Sequence, residues 1–350
     1  MTLLDTLSWL VDIPSVTGEE GLLCEALTAR LGESYPDRDM CRIGNSLVVG
    51  RPTGRPLVLL VGHIDTVPFQ GQGPARVEGD RLFGLGTSDM KSGVAVMVHL
   101  LEDRSVRNGP VDVVGVFYDA EEGPHALNGL EPVLQGLPWL ADAAFAVVTE
   151  PTDLELQLGC QGLVNATVRF EGKAAHSARP WLGVNAVTKA GDWLAGLHER
   201  PPEPYEVGGL TFYEVFSVTR ASAGVANNVI PATFDLNLNY RFAPHRSGSD
   251  ALARLAEITA GADSVDVKEC VDGAPVPEGN PFLDRLVAIS DAAVTPKQAW
   301  TDVARLARYG IPAVNYGPGE VAQAHQATES VPIANLDPAY QALRRFLTEK

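Results

Sequence analysis

The sequence predicts an α/β protein carrying an inserted, smaller α+β domain, and three observations support that prediction. Apolar runs at residues 56–62, 111–118 and 145–149 are continuous rather than alternating and are separated by helical patterns, as expected of strands buried on both faces. From about Leu163 the texture changes, because LVNATVRFEG and ATFDLNLNYRF alternate with period two, like half-exposed antiparallel strands. After about Asn280 the buried texture returns. The larger domain is therefore expected over residues 1–162 and 275–350, and the smaller over 163–274.

Taken in order, the first residues read as two helices, 3–11 and 19–31, separated by Pro14. Thr17 and Glu20 stand at capping-box spacing before the second, and Gly32 closes it. The strand at 56–62 leads to a helix at 90–101 and then to the strands at 111–118 and 145–149. The smaller domain reads strand, helix, strand, strand, helix, strand, which is a ferredoxin-like order. Its helices are expected at 184–198 and 250–259 and its last strand at 265–271, with RPPEPYEVGG (200–209) as a loop. IPAVNYG then supplies another buried strand, and Asp337 and Pro338 cap a closing helix.

Composition narrows the function. A length of 350 residues suits about two domains, and no segment approaches the ~20 uninterrupted apolar residues of a membrane helix. A formal charge of −17 argues against nucleic-acid or anionic-membrane partners, which need clustered Lys and Arg. No basic residue precedes Arg30, and Asp5 and Asp12 interrupt the first apolar stretch, so no secretory signal is read and a cytoplasmic location is expected. Cys24, Cys41, Cys160 and Cys270 are widely spaced, which suggests isolated thiols rather than a disulfide framework or a thiolate metal site.

The chemistry gathers where buried strands stop, which is where open α/β sheets hold their ligands. The first strand ends in LLVGHIDTVP, placing His63 and Asp65 two apart so that the carboxylate can fix the imidazole tautomer. The second ends in VFYDAEEG, with Glu121 and Glu122, and the third in FAVVTEPT, with Glu150. Between the first two, GLGTSDMKSG has Gly84, Gly86 and Gly93 to allow a tight turn presenting Asp89. That glycine pattern is no dinucleotide fingerprint, since Asp89 stands where the third glycine belongs and would repel a pyrophosphate. One histidine and several carboxylates at one sheet edge repel unless a cation neutralises them. Mixed imidazole and carboxylate donors point to zinc first, with cobalt or manganese as substitutes.

GHIDTVP, GLGTSDMKSG, DAEEG, TEPT and a late AHQATE resemble, in this order and over nearly the whole chain, the M20 family of dinuclear zinc amidohydrolases and peptidases. The resemblance implies a mixed-sheet zinc-peptidase-like catalytic domain with a lid and dimerisation domain. It implies that Asp89 bridges two zinc ions, with His63 and Glu150 on one and Glu122 and His325 on the other. Glu121 is then the general base, Asp65 orients His63, and His176 in KAAHSAR donates to the oxyanion, from its own subunit or across a homodimer. LGCQG, AHSARPWLG, NNVIP, WTDVARL and VNYGPG resemble the shorter desuccinylases of the family, which implies an N-succinyl amino-diacid substrate, N-succinyl-diaminopimelate. Its carboxylates call for Arg241 first, then Arg179, Asn227 and Asn228, with Thr301 and the turn at Gly317 and Gly319. Longer desuccinylases carry basic residues where this chain has Leu158-Gly-Cys-Gln161.

Rival readings share this core. Another deacylase or peptidase of the family, such as an acetylornithine deacetylase or a carboxypeptidase, would differ mainly in its pocket. A non-catalytic binding protein would be expected to lack the base or a ligand, whereas this chain keeps each of them.

Overall fold

The structure, a computed structural model, describes residues 1–349. The chain divides into two compact units. Met1–Leu158, Pro277–Thr295 and the chain from Arg305 onward form the first, and Gly159–Val276 with Pro296–Ala304 form the second.

The first unit is built on an eight-stranded mixed sheet. From one edge its order is Met40–Ile43, Ser46–Val49, Asp112–Tyr118, Leu57–His63, Phe145–Val148, Ala313–Asn315, Leu156–Leu158 and Val294–Pro296. The three long apolar runs of the sequence are thus its adjacent central strands. Val58 to Val61 are wholly buried, and each such side chain stabilises the fold by roughly 1.5–3 kcal/mol. The Leu57–His63 strand runs parallel to both neighbours, with His63 level with Tyr118 and Val61 level with Val148, so the three carboxyl ends finish at one edge. From Leu57–His63 the chain places its next sheet strand on one side and the following one on the other. A crevice opens at such a reversal of order.

Helix Ser92–Glu102 is almost wholly buried among these elements. It starts two residues later than the periodicity suggests, because Asp89 and Met90 have non-helical backbone angles and a cis peptide bond joins them. Only Gly84 (φ +151°) and Gly86 (φ +80°) take the turn conformations expected of three glycines. Gly93 serves a different end, since a Cβ there would collide with the Thr149 carbonyl oxygen. Gly93→Ala is therefore expected to cost about 1–3 kcal/mol through overpacking, lowering Tm by several degrees in a calorimetric scan. An unchanged Tm would contradict this account.

Two local expectations are corrected. The capping box forms at Thr2 and Asp5 before helix Leu3–Val11, whereas helix Gly21–Leu31 begins without one. Thr17 and Glu20 are otherwise engaged: the Thr17 hydroxyl donates to Asp65 (2.8 Å), and Glu20 accepts from the Gly18 N–H (2.6 Å). The closing helix Leu336–Thr348 follows Asn335, which leaves Asp337 and Pro338 in its first turn rather than at its cap.

The second unit is a five-stranded antiparallel sheet in the order Glu203–Val207, Leu210–Ala223, Thr233–Phe242, Gly162–Glu171 and Ser264–Val271. Its last four strands have the ferredoxin-like order. Val164, Val168 and Phe170 alternate onto the same core as Leu236, Leu238 and Tyr240, and Ala251 and Leu255 of helix Gly248–Ile258 cover it. The stretch expected as a loop, RPPEPYEVGG, is in fact an added edge strand. Gly208 and Gly209, both at positive φ (59° and 75°), close its hairpin, and Pro204 is tolerated because an edge strand need not donate on both sides. The helix expected at 184–198 divides into Ala186–Lys189 and Gly191–His198 around the Ala190-Gly191 pair. The four cysteines are unpaired. Among the described residues no helix is long and apolar enough to cross a membrane.

Candidate active site

The site begins with the three flush strand ends. His63 closes its strand, buried, and its ring is held by Asp65: Nδ1 lies 3.1 Å from the Asp65 backbone oxygen and 3.3 Å from Oδ1. Asp65, fully buried, also accepts from the backbone N–H groups of Glu121 (3.0 Å) and Glu122 (3.0 Å) and from the Thr17 hydroxyl. One carboxylate thus fixes the histidine of one strand and the glutamate pair beyond the next. Ala120, at φ +56°, gives the turn that brings those two amides to Asp65. Burial raises the Asp65 pKa, but His63 and the two N–H donors outweigh it and hold the carboxyl below the usual carboxylate range.

Asp89 occupies the centre. Its Oδ1 lies 3.1 Å from His63 Nε2 and its Oδ2 lies 3.6 Å from His325 Nε2, so the two oxygens of one carboxylate face different histidines. Glu150 Oε1 is 3.9 Å from His63 Nε2, and Glu122 is 3.0 Å from His325 Nε2. Two ligand clusters result, His63 with Asp89 and Glu150, and Asp89 with Glu122 and His325; Asp89 is common to both. Glu121 joins a third grouping with His63 and Glu122. In each cluster the donor atoms lie within 4.8 Å of one another. Burial disfavours charge on His63, yet Asp65, Asp89 and Glu150 hold its pKa well above the ordinary imidazole value. The hydrogen bond to Glu122 carries that of His325 up to about 9. So strong a pull on both rings marks an excess of negative charge suited to divalent cations.

The donor chemistry fits such ions. Each cluster offers one imidazole and two carboxylates, three protein ligands with room for a further one, and the shared carboxylate can serve two ions at once.

The glycines of the GPG turn have a backbone role. A Cβ on Gly317 would come within 2.5 Å of the Glu150 carbonyl oxygen, and one on Gly319 would collide with the Ser88 carbonyl. The turn is therefore pressed against the segments bearing Glu150 and Asp89. His125 is engaged by Arg305, whose guanidinium lies 3.1 Å from its Nδ1 and donates to its carbonyl.

The other candidates belong to the second unit. His176 and Asn228 are brought together there: His176 forms a β-bridge with Val229, and the Ser177 N–H donates to the Asn228 carbonyl (2.9 Å). Arg179 and Asn227 flank that junction. Arg241 makes one side-chain hydrogen bond, to Asn239 (3.1 Å), and no ion pair among the described residues. Thr301 is buried with its hydroxyl unpartnered.

Sequence reasoning missed Thr17, Lys91 and Glu329. Lys91 is buried, its ammonium donates to the carbonyls of Leu10 (3.0 Å) and Ile13 (2.9 Å), and burial pulls its pKa down to about 7. Glu329, also buried, binds the backbone of the Asp89 loop. Lys91 lies within GLGTSDMKSG and Glu329 closes AHQATE, but neither motif signals these roles, because each is defined by backbone groups distant in sequence.

The sequence model of peptidase family M20/M25/M40 matches residues 59–349. A Mycobacterium tuberculosis protein provisionally named a succinyl-diaminopimelate desuccinylase is 39% identical over 340 residues, covering 97% of this chain and 96% of its own. The succinyl-diaminopimelate desuccinylase of Corynebacterium glutamicum is 35% identical over 349 residues, covering 97% and 94%. Among solved structures, aminopeptidase PepT of Bacillus cereus superposes with a TM-score of 0.79 at 18% identity, over 99% of this chain and 97% of that one. Bacillus subtilis YXEP, a dinuclear metal-binding peptidase, does so with a TM-score of 0.69 at 17% identity, over 99% and 96%. These last two are likenesses of fold.

Proposed function

The chain belongs to peptidase family M20/M25/M40, which makes it a metal-dependent amidohydrolase, and from that premise we propose that it hydrolyses N-succinyl-LL-2,6-diaminopimelate to succinate and LL-diaminopimelate. The observation that carries the catalytic part is the Asp89 carboxylate, with one oxygen toward His63 and the other toward His325. The substrate part is supported by the near full-length identity to two proteins named for this reaction.

In this reading His63, Asp89 and Glu150 hold one ion, and Asp89, Glu122 and His325 hold the other. Zinc is the proposed occupant, with cobalt or manganese able to replace it. When bound, such a pair polarises the scissile carbonyl and acidifies the attacking water. Asp65 accepts from His63 Nδ1 and so keeps the Nε2 lone pair turned toward Asp89 and Glu150. Glu121 takes the proton from the attacking water as oxygen adds to the amide carbon. It then delivers that proton to the leaving nitrogen as the C–N bond breaks, giving a free carboxylate and a free amine. Asp65 holds the turn through the amides of both glutamates, so ligand and base keep a fixed relation to each other.

The carboxylates of the substrate need cationic and amide donors. We assign Arg241, Arg179, Asn227, Asn228 and Thr301 to that task, with His176 as the donor to the oxyanion. Among the described residues no carboxylate pairs directly with Arg241, although Glu269 is near enough to favour its charge, and a partly buried guanidinium so placed can take a substrate carboxylate. The reading places the enzyme in the cytoplasm, in the diaminopimelate route to lysine, as a homodimer.

A substrate panel tests the proposal. With zinc or cobalt restored after chelation, kcat/KM for N-succinyl-diaminopimelate is expected to exceed that for N-acetylornithine and for dipeptides by at least about 10²-fold, the discrimination that a site built for several carboxylates can reach. Faster turnover of either rival would remove the desuccinylase assignment and leave the amidohydrolase in place.

A further inference from the structure

The carboxylate of Glu329 reaches into the loop that carries Asp89. Its Oε1 accepts from the backbone N–H groups of Ser88 (2.8 Å) and Asp89 (2.9 Å), and its Oε2 accepts from that of Gly86 (2.8 Å). The side chain is 2% exposed, so these bonds form out of competition with water. The same short segment grips the loop again through its backbone. Gly84 N–H donates to the Glu329 carbonyl (3.1 Å), and the Ser88 hydroxyl donates to the Ser330 carbonyl (2.9 Å). Strand Ser330–Pro332, which begins at the next residue, pairs with Arg81–Phe83 at the start of the loop.

His325 stands four residues before Glu329. The segment that supplies one candidate ligand therefore also fastens the loop that supplies another, and these two ligands meet in the cluster of Asp89, Glu122 and His325. The cluster of His63, Asp89 and Glu150 has a different footing. Two of its three members stand at or just beyond the ends of buried parallel strands, and Asp65 separately orients His63.

We propose that Glu329 is a positioning residue for the half of the centre formed by Asp89, Glu122 and His325. It holds the Asp89 backbone so that Oδ2 keeps its direction toward His325 while Oδ1 stays on His63. This rests on the metal-centre reading above, and it adds an asymmetry which that reading does not require. Lys91 complements Glu329 on the same loop, anchoring it to Leu10 and Ile13 through two carbonyls. The asymmetry singles out Glu329, because Lys91 ties the loop to the first helix and not to the His325 segment.

The test is a calorimetric titration of the metal-free protein with Co2+, accompanied by the visible cobalt spectrum of each equivalent. Wild-type chain is expected to take up two equivalents. In Glu329→Gln at least one loop N–H faces an amide NH2 instead of an acceptor. Its second equivalent is expected to bind about 10–100-fold more weakly with an altered cobalt spectrum, as is usual when a supporting group of a ligand is lost, while the first stays within about threefold. Glu329→Asp keeps the charge and is expected to recover part of the loss. It also carries the same test if the Gln variant lacks a folded near-ultraviolet dichroism signal. Two equivalents bound as tightly as in wild type would overturn the inference and leave the metal centre standing. Equal weakening of both equivalents, or loss of folding in both variants, would overturn it by showing a general structural role. A wild-type chain that takes up no cobalt would instead remove the metal-centre reading itself.

Discussion

Glu121→Ala is expected to retain the full metal content of the wild-type chain while turning over its substrate roughly 10²–10⁴ times more slowly, the range that a positioned general base contributes. The separation of the two effects follows from the geometry. The backbone N–H of residue 121 is bonded to Asp65 Oδ1, and that bond survives loss of the side chain. Glu122 keeps its own amide bond to Asp65 and its contact with His325. The ligand set of both proposed ions is therefore untouched, and KM should change little because the side chain is assigned to the moving proton rather than to substrate binding. Steady-state kinetics alongside elemental analysis decide the matter. Turnover within a few-fold of wild type would strip Glu121 of its assigned role, and loss of metal together with turnover would make it a ligand instead.

The parts of this molecule that were legible in its sequence are those where one physical demand dominates a stretch of residues. LVLLVGH and DVVGVFY are buried on both faces, and only an uninterrupted apolar run satisfies that, so their nature as central strands could be read directly. His63, Glu121 and Glu150 follow from the same logic, since each stands at or a few residues beyond such a run. Less visible were elements whose identity depends on a distant partner. Glu203–Val207 is polar and proline-rich, and only pairing with Leu210–Ala223 makes it a strand, although the Gly208-Gly209 pair was a readable hairpin signal. Thr17 and Glu20 have the spacing of a capping box, but Asp65 and the Gly18 amide compete for their side chains and win. Glu329 is the extreme case. Its partners are three amides some 240 positions away in the chain, and backbone donors carry no sequence signature.

Replacing Asp89 has the largest expected effect on the centre, because this residue is common to both ligand clusters. Asp89→Ala should fall from two metal ions per chain to less than one, whereas His63→Ala and His325→Ala, each belonging to one of the two clusters that share Asp89, should each lose mainly one. Without a counter-charge the remaining carboxylates of Glu122 and Glu150 still crowd His63 and His325, so the variant is expected to fold with those rings protonated rather than to collapse. Removal of a bound ion also removes its contribution to stability, which at free metal 100-fold above the dissociation constant is about 2.7 kcal/mol. Wild-type chain treated with a chelator should therefore show a lower Tm that added zinc restores, and Asp89→Ala should begin near the lowered value and respond weakly to zinc. Elemental analysis and a thermal scan with and without chelator give both readouts. Two ions retained in Asp89→Ala would mean that its carboxylate does not bridge, even though its two oxygens face His63 and His325.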